Sequence, residues 1–514
     1  MKRDGALVSL WQSSVPDYES KYKQIPEADY DVVIVGAGIT GITTALLLQQ
    51  AGKKCIVIEA HNICFGTTGG TTAHLNTLLD TPYKQIIKNF GVENAKLVAT
   101  AAADALLLIK ENVEKFAINC GFENASAFLF AQNDDQVKEL DELYEASLQA
   151  GLNISYADSL PIVTNFIKAV EVKGQAKFNP VLYVYTLAKA FEEAGGIIIQ
   201  HCRVNNAEQD EKVDIETDQG KIKASALIYA THIPPGINLL HMRCAPYRSY
   251  AMAIRLKNNN YPDNLTYDMY DPYHYYRTQK VNGRNYLIAG GKDHKTAHEE
   301  NTNACFLQLE NDIRKIFEID EVVYKWSSQY FEPADGLPYI GHLPGQPGNI
   351  FVATGFGGNG MTYSNVAALL LTDLILNKSN KYTELFDPNR IKPIAGFANF
   401  IKENADVAKH LITGFFSAEK LESLSGISPG EGKIVKFEDH TIAIYKDEAR
   451  NLHALNAKCM HMKCTVSWNN AEQSWDCPCH GARYDCDGKV LTGPSDRDMQ
   501  VLKLNELIAE NRVN

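Results

Sequence analysis

The chain has 514 residues, of which 45% are hydrophobic and 22% charged, and a formal net charge of -12. That length exceeds what one hydrophobic core usually organises, so two or three domains are expected, and the composition excludes a disordered chain. The acidic balance speaks against a nucleic-acid binder and against attachment to an anionic membrane surface.

The start, "MKRDGALVSLWQSSVPDY", is basic but has no apolar h-region or cleavage site, so a cytoplasmic location is expected. From Tyr30, "YDVVIVGAGITGITTALLLQQAGKKCIVIEA" reads as strand, glycine turn, helix and second strand, a βαβ unit. Between about residues 80 and 350, helical stretches such as "DQVKELDELYEASLQAG" alternate with strand-like ones such as "GIIIQHCRV" and "SYAMAIRL". The mixture suits an α/β domain carrying an inserted antiparallel sheet. A second glycine turn, "ATGFGGNGMTYS", follows a strand at Ile350 to Ala353 and opens the helix "NVAALLLTDLIL", which is too short to span a bilayer. Next comes an amphipathic stretch, "ANFIKENADVAKHLITGFF", expected to bridge two domains. The Ser, Gly and Pro of "SLSGISPGEG" then mark a boundary. Beyond it, "GKIVKFEDHTIAIYKDE" and "NLHALNA" alternate at strand period and predict a small all-β domain.

Gly36, Gly38 and Gly41 form G-x-G-x-x-G between a strand and a helix, and Glu59 ends the next strand. Such glycines permit a tight turn and close approach of a pyrophosphate at the helix N-terminus, and the acid suits a ribose diol. The chain therefore binds a dinucleotide. No second unit of this kind occurs about a hundred residues on, so the electron donor is expected to be an organic substrate rather than NAD(P)H. With "GTTGGTTAH" from Gly66, "ADGLPYIG" from Ala334 and "ATGFGGNGMT" from Ala353, the stretch from about 30 to 390 resembles the D-amino-acid-oxidase superfamily of flavoproteins. The resemblance implies FAD, and puts Thr67, Thr68, Thr72, Gly357, Gly358, Asn359, Gly360 and Met361 beside the flavin. Where some relatives attach the flavin through a histidine, this chain has Gly70, with His74 the next histidine along. Where glycine-oxidase-like relatives carry a substrate-binding arginine, "YFEPADGLP" offers Glu332, which would favour a cationic amine if it faced the flavin. Tyr276 and Arg277 of "YDPYHYYRTQ" are candidates for orienting a substrate. His294 and His298, spaced i, i+4, with Asp293 are a weaker candidate for a metal.

Of eleven cysteines, Cys55, Cys64, Cys120, Cys202, Cys244 and Cys305 are scattered and read as small buried residues, whereas five crowd between Cys459 and Cys486. Cys459-x-His461, fifteen intervening residues, then Cys477-x-x-His480 resembles a Rieske [2Fe-2S] domain, in which two thiolates hold one iron and two imidazoles the other; a zinc site is the competing reading. The resemblance implies a disulfide between Cys464 and Cys479, and a shielding loop at Gly493 and Pro494. Imidazole ligation raises the potential to about -150 to +300 mV. Tyr484 is a candidate donor to a ligand sulfur, and Ala482 stands where high-potential relatives have serine, so an intermediate potential is expected.

The reading is thus a D-amino-acid-oxidase-type domain over 1–415, a linker over 416–425 and a Rieske domain over 426–514. Within the first, FAD-binding parts fall near 30–80, 170–235 and 335–390, and substrate parts near 80–170 and 240–335. The whole resembles bacterial FAD-dependent oxidoreductases with a C-terminal Rieske domain. It is expected to oxidise a C–N bond of an amine or amino acid. Electrons then pass through FAD and the cluster to a quinone, cytochrome or small redox protein docked at an exposed histidine edge. An oxygenase component and a redox carrier or sensor without substrate are the alternatives.

Overall fold

The computed structural model describes residues 3–346, 348–390, 419–420, 427–437 and 440–503. At its centre is a sheet ordered Tyr339–His342, Ile350–Thr354, Gly220–Tyr229, Tyr30–Val35, Cys55–Ile58, Ile197–Ile199. All pairs but the first are parallel. Parallel strands need both faces covered, and the runs "VVIV" and "CIVI" are accordingly buried throughout. The helices Ile39–Gln50, Pro180–Glu193 and Gly360–Ile375 supply one cover. Gly36 has φ +105°, and a Cβ on Gly41 would lie 1.9 Å from the Gly36 carbonyl oxygen; the first helix can approach the strand only because both are glycine.

A second sheet of nine strands carries the inserted part. It is antiparallel, as expected, except where Leu265–Asp268 runs parallel to Glu123–Ala131. Lys168–Lys177 belongs to this sheet, although its residues from 170 on were expected in the nucleotide-binding part.

The C-terminal part is all-β, with two four-stranded sheets and a core around Cys459, Trp475, Cys477 and Tyr484. Glu419–Lys420 already pairs with Val435 and Lys436, so its first sheet begins within the stretch expected as linker. The amphipathic stretch at 398–416 lies outside the described residues. All six scattered cysteines are buried, as expected.

One feature had no sequence signal. Residues 3–12 thread between the two parts: Trp11 Nε1 donates to the Thr71 carbonyl (2.6 Å) and Gln12 Nε2 to the Cys64 carbonyl (2.9 Å). Arg3 and Asp4 join Arg248, Glu472, Asp476 and Arg483 in a buried network of charges.

Candidate functional site

The C-terminal ends of the parallel strands open into a cavity of ≈ 2050 Å³, its mouth included. Of the candidate nucleotide residues all but Gly41 line it. The Glu59 carboxylate accepts from the Ala37 and His61 amides at 2.8 Å each; burial raises its pKa and these two bonds oppose the rise. Thr68 Oγ1 accepts from the Ile39 amide (3.1 Å), and a Cβ on Gly38 would come within 2.9 Å of that hydroxyl. The cradle therefore fits a dinucleotide: the space beside the helix start exists only while side chains are missing there.

The other end of the cavity is acidic and aromatic. Asp80 accepts from the Gly358 amide (2.7 Å) and from Tyr273 Oη (3.0 Å). A Cβ on Gly358 would lie 2.2 Å from the Asp80 carboxylate, so glycine is required for this contact. Asp293 accepts from Ser249 Oγ (2.5 Å) and Tyr330 Oη (2.8 Å), and Ser249 Oγ lies 2.9 Å from Tyr275 Oη. Tyr267 and His74, 2.7 Å apart at Oη and Nδ1, complete the wall. Burial pushes Asp293 up to about 6 and raises Asp80, while it pulls His74 well below the ordinary imidazole range. Among the described residues Arg203 is the lone arginine lining the cavity, no lysine lines it, and Arg203 donates to the Val490 carbonyl (3.0 Å) near Glu59.

Several candidates do not reach this end. Tyr276 faces away from the cavity and meets Phe317 (ring centroids 5.4 Å); strand alternation presents Tyr275 instead. Arg277 lies beneath the cavity wall, donating to the Ala73 and Phe178 carbonyls. Glu332 is exposed and outside the lining, so the acids at the aromatic end of the cavity are Asp80 and Asp293. His294 is spent on Tyr250 Oη (2.9 Å) and the Lys295 carbonyl (2.7 Å). It sits on the strand Arg284–Lys295, where neighbours Asp293 and His294 point to opposite faces, so helical i, i+4 logic does not apply. This removes the metal site that an oxygenase would need there. At Gly70 a Cβ would come within 2.9 Å of Ser328 Oγ, so a side chain at this position requires Ser328 to shift.

In the C-terminal part, two loops bring Cys459 and His461 against Cys477 and His480. The disulfide Cys464–Cys479 ties the loops together as expected. The sulfurs of Cys464, Cys477 and Cys479 lie close together, but two of them form that disulfide, so the free thiols of the two loops are Cys459 and Cys477. The rings of His461 and His480 stand 5.0 Å apart, and both nitrogens of His461 and Nδ1 of His480 are buried without a hydrogen-bond partner among the described atoms. Buried imidazole nitrogens left unsatisfied are costly unless something else binds them. Two thiols and two orphaned imidazoles fit a [2Fe-2S] cluster with mixed ligation.

Tyr484 Oη lies 3.3 Å from Cys459 Sγ, while Ala482 is fully buried with no donor. Hydrogen bonds to sulfur stabilise the reduced cluster. Tyr484→Phe is therefore expected to lower its midpoint potential and Ala482→Ser to raise it, as read by redox titration of the cluster's visible bands; a shift of either in the opposite sense refutes this.

The Rieske-like part also closes the first cavity, which the sequence did not reveal. Val490, Leu491, Thr492, Gly493, Ser495 and Asp496 line it alongside Ile233 and Pro235. The loop expected to shield the cluster thus lies against the nucleotide-binding cavity, with the Gly236 amide donating to the Pro494 carbonyl (3.2 Å).

Fold and sites define a flavoprotein oxidoreductase joined to an iron-sulfur domain. The chain belongs to the family of FAD dependent oxidoreductases (DAO), whose family model matches residues 31–374; a Rieske [2Fe-2S] domain matches residues 419–503. It is an enzyme whose cofactors are FAD and a [2Fe-2S] cluster. It is 34% identical over 500 residues, 97% of this chain and 98% of the relative, to the putative Rieske 2Fe-2S iron-sulfur protein YhfW of Bacillus subtilis (strain 168). It is 22% identical to the gamma-glutamylputrescine oxidoreductase of Escherichia coli (strain K12) over 68% of this chain and 85% of that one. Its fold matches the crystal structure of glycine oxidase from Geobacillus kaustophilus with a TM-score of 0.59 at 18% identity, over 71% of this chain and 99% of that one. No described helix is long and apolar enough to cross a membrane.

Proposed function

We propose that this enzyme dehydrogenates a C–N bond of a cationic amine and passes the electrons through the Rieske cluster to an external one-electron acceptor such as a quinone, cytochrome or small redox protein. In this reading Gly36, Gly38, Glu59, Thr67, Thr68, Thr72 and Gly357 to Met361 hold FAD, with Gly41 keeping the helix close. Cys459, His461, Cys477 and His480 hold the cluster. The observation that carries the proposal is the substrate end of the cavity: two carboxylates, Asp80 and Asp293, among Tyr267, Tyr273, Tyr275 and Tyr330, with the one lining arginine at the opposite end.

An α-amino acid brings a carboxylate that two buried acids repel, whereas an ammonium is attracted by the carboxylates and by the tyrosine faces. The relative named for gamma-glutamylputrescine agrees with an amine substrate. Bound FAD supplies a two-electron acceptor and the bound cluster a one-electron relay. Hydride loss from the carbon beside nitrogen needs the nitrogen lone pair free, so an ammonium must first give up a proton. Asp293, ionised above about pH 6 and fixed by Ser249 and Tyr330, is placed to take it. The tyrosines exclude water and hold the amine against the wall.

Anaerobic absorption titration of the purified holoenzyme with primary, secondary and N-methylated amines, and with amino acids, tests this. An amine is expected to bleach the flavin bands first and the cluster bands next. Reduction by α-amino acids alone overturns the amine assignment. Reduction by dithionite but by no amine or amino acid favours a carrier or sensor.

A further inference from the structure

The histidine edge of the cluster site does not face solvent. His461 and His480 are 9% and 3% exposed, and what covers them is the flavoprotein part of the same chain. His241, in the short turn Leu239–Met242, sets its ring edge-on to His461 with centroids 4.7 Å apart, and 6.2 Å from His480. It is 4% exposed and held at both nitrogens: Nε2 donates to the Pro234 carbonyl (2.8 Å) and Nδ1 accepts from the Asn238 amide (3.4 Å). The segment leading to it begins in the nucleotide-binding cavity, where Ala230 to Ile233 are lining residues and His232 Nδ1 lies 3.2 Å from Thr67 Oγ1. The two centres therefore share one wall, in which residues 230–241 of one part face the 490–496 loop of the other.

We infer that His241 is a positioning residue for electron transfer within the chain: it docks the cluster's histidines on the wall of the flavin cavity, so this edge serves the chain's own flavin and not an external protein. The inference rests on the reading that electrons pass from FAD to the cluster, and it replaces the expectation of an exposed histidine edge. Tunnelling weakens steeply across an unfilled gap, and the buried edge-to-face contact leaves none between the His241 and His461 rings. In the step, one electron leaves the two-electron-reduced flavin for the oxidised cluster, whose iron pair goes from diferric to one ferrous and one ferric ion. The second electron follows after a one-electron oxidant, ferricyanide in the test, has reoxidised the cluster, and the flavin proton is released to solvent.

The test uses anaerobic holoenzyme in which a flash with deazaflavin and oxalate as electron donor reduces the flavin without any amine, so it does not depend on the substrate assignment. In the parent protein the cluster bands are expected to bleach with a first-order rate independent of protein concentration. In His241→Ala that rate is expected to fall about tenfold or more, because small misplacements of reacting groups are costly. His241→Phe, which keeps an edge-on ring, is expected to recover much of it, and the EPR g-values of the reduced cluster shift in the alanine variant alone. If the parent rate scales with protein concentration, or its cluster stays oxidised, the FAD-to-cluster reading falls and the inference with it. If the parent transfers within the chain and His241→Ala does so equally fast with an unchanged EPR spectrum, the inference alone falls. Should His241→Ala fail to hold iron, a His241→Phe variant at the parent rate with parent g-values supports the ring-contact role, and one slowed as far as complete loss of transfer overturns it.

Discussion

Glu472→Ala is expected to cost about 3–5 kcal/mol, the usual consequence of leaving a buried charge without its partner. Glu472 accepts from Arg3 (3.1 Å) and from the amide and hydroxyl of Ser327, both at 2.7 Å, so it ties the N-terminal segment, the substrate-part sheet and the Rieske domain at one point. Around it, Arg483 reaches Asp4 (3.1 Å) and Asp476 (3.0 Å). Three guanidiniums face three carboxylates, and removal of Glu472 leaves three buried positive charges against two negative ones, with Asp4 (3.0 Å) the one carboxylate still paired with Arg3. Burial pushes the Asp476 carboxyl up, but the Arg483 and Arg248 guanidiniums more than reverse this and hold it below the ordinary range; Arg3 and Arg483 do the same for Asp4. Carboxyls with depressed values stabilise the fold above their unfolded pKa and lose that contribution as pH falls through the folded values. The parent interface is therefore expected to open in acid, and, being buried, to resist salt. Denaturant titration followed at the flavin and cluster bands checks this. A Glu472→Ala midpoint equal to the parent's refutes it, whereas Arg3→Met with Glu472→Met is expected to regain most of the loss, because replacing a whole buried pair by apolar groups is often neutral.

The parts of this molecule that were legible in its sequence are those whose chemistry is local. Gly36 to Glu59 and Cys459 to His480 each lie within one short strand-loop unit, where spacing and a family resemblance together pointed to a dinucleotide and to a cluster. What escaped was parity and docking. In "YDPYHYYRTQ" the ring that enters the cavity is Tyr275, not Tyr276, and the deciding residue is Gly290 on the paired strand: a Cβ there would lie 2.3 Å from the Tyr275 ring. The glycine pair in "LIAGGKDH" was thus a usable signal, but only once the strand register was known. His241 and residues 3–12 have no periodicity or spacing that marks them, because their partners are distant in the chain, from 52 residues for Gln12 and Cys64 to 469 for Arg3 and Glu472. Asp80 was hidden for the same reason, since its meaning comes from Gly358 across the cavity.

Asp293→Asn is expected to slow flavin reduction by an amine about 10²-fold or more, the usual contribution of a positioned general base. The parent carboxyl, raised by burial to about 6 despite its bonds from Ser249 and Tyr330, accepts a proton from the substrate only when ionised. The rate of anaerobic flavin reduction in the parent should therefore climb as pH rises through about 6, and this limb should vanish in the variant. Stability moves the other way. A carboxyl whose folded pKa lies above its ordinary 3.8 binds more protons when folded, so its contribution falls as pH rises from 3.8 through about 6. Asparagine removes that burden, and the variant is expected to be at least as stable as the parent at neutral pH while nearly inactive. Asp80→Asn leaves the proton acceptor in place and removes one charge that attracts the ammonium, so its defect should fall mainly on KM. Stopped-flow reduction across pH separates the two roles. If Asp293→Asn keeps the parent rate and the parent pH limb, the proton passes elsewhere and Asp293 merely shapes the cavity.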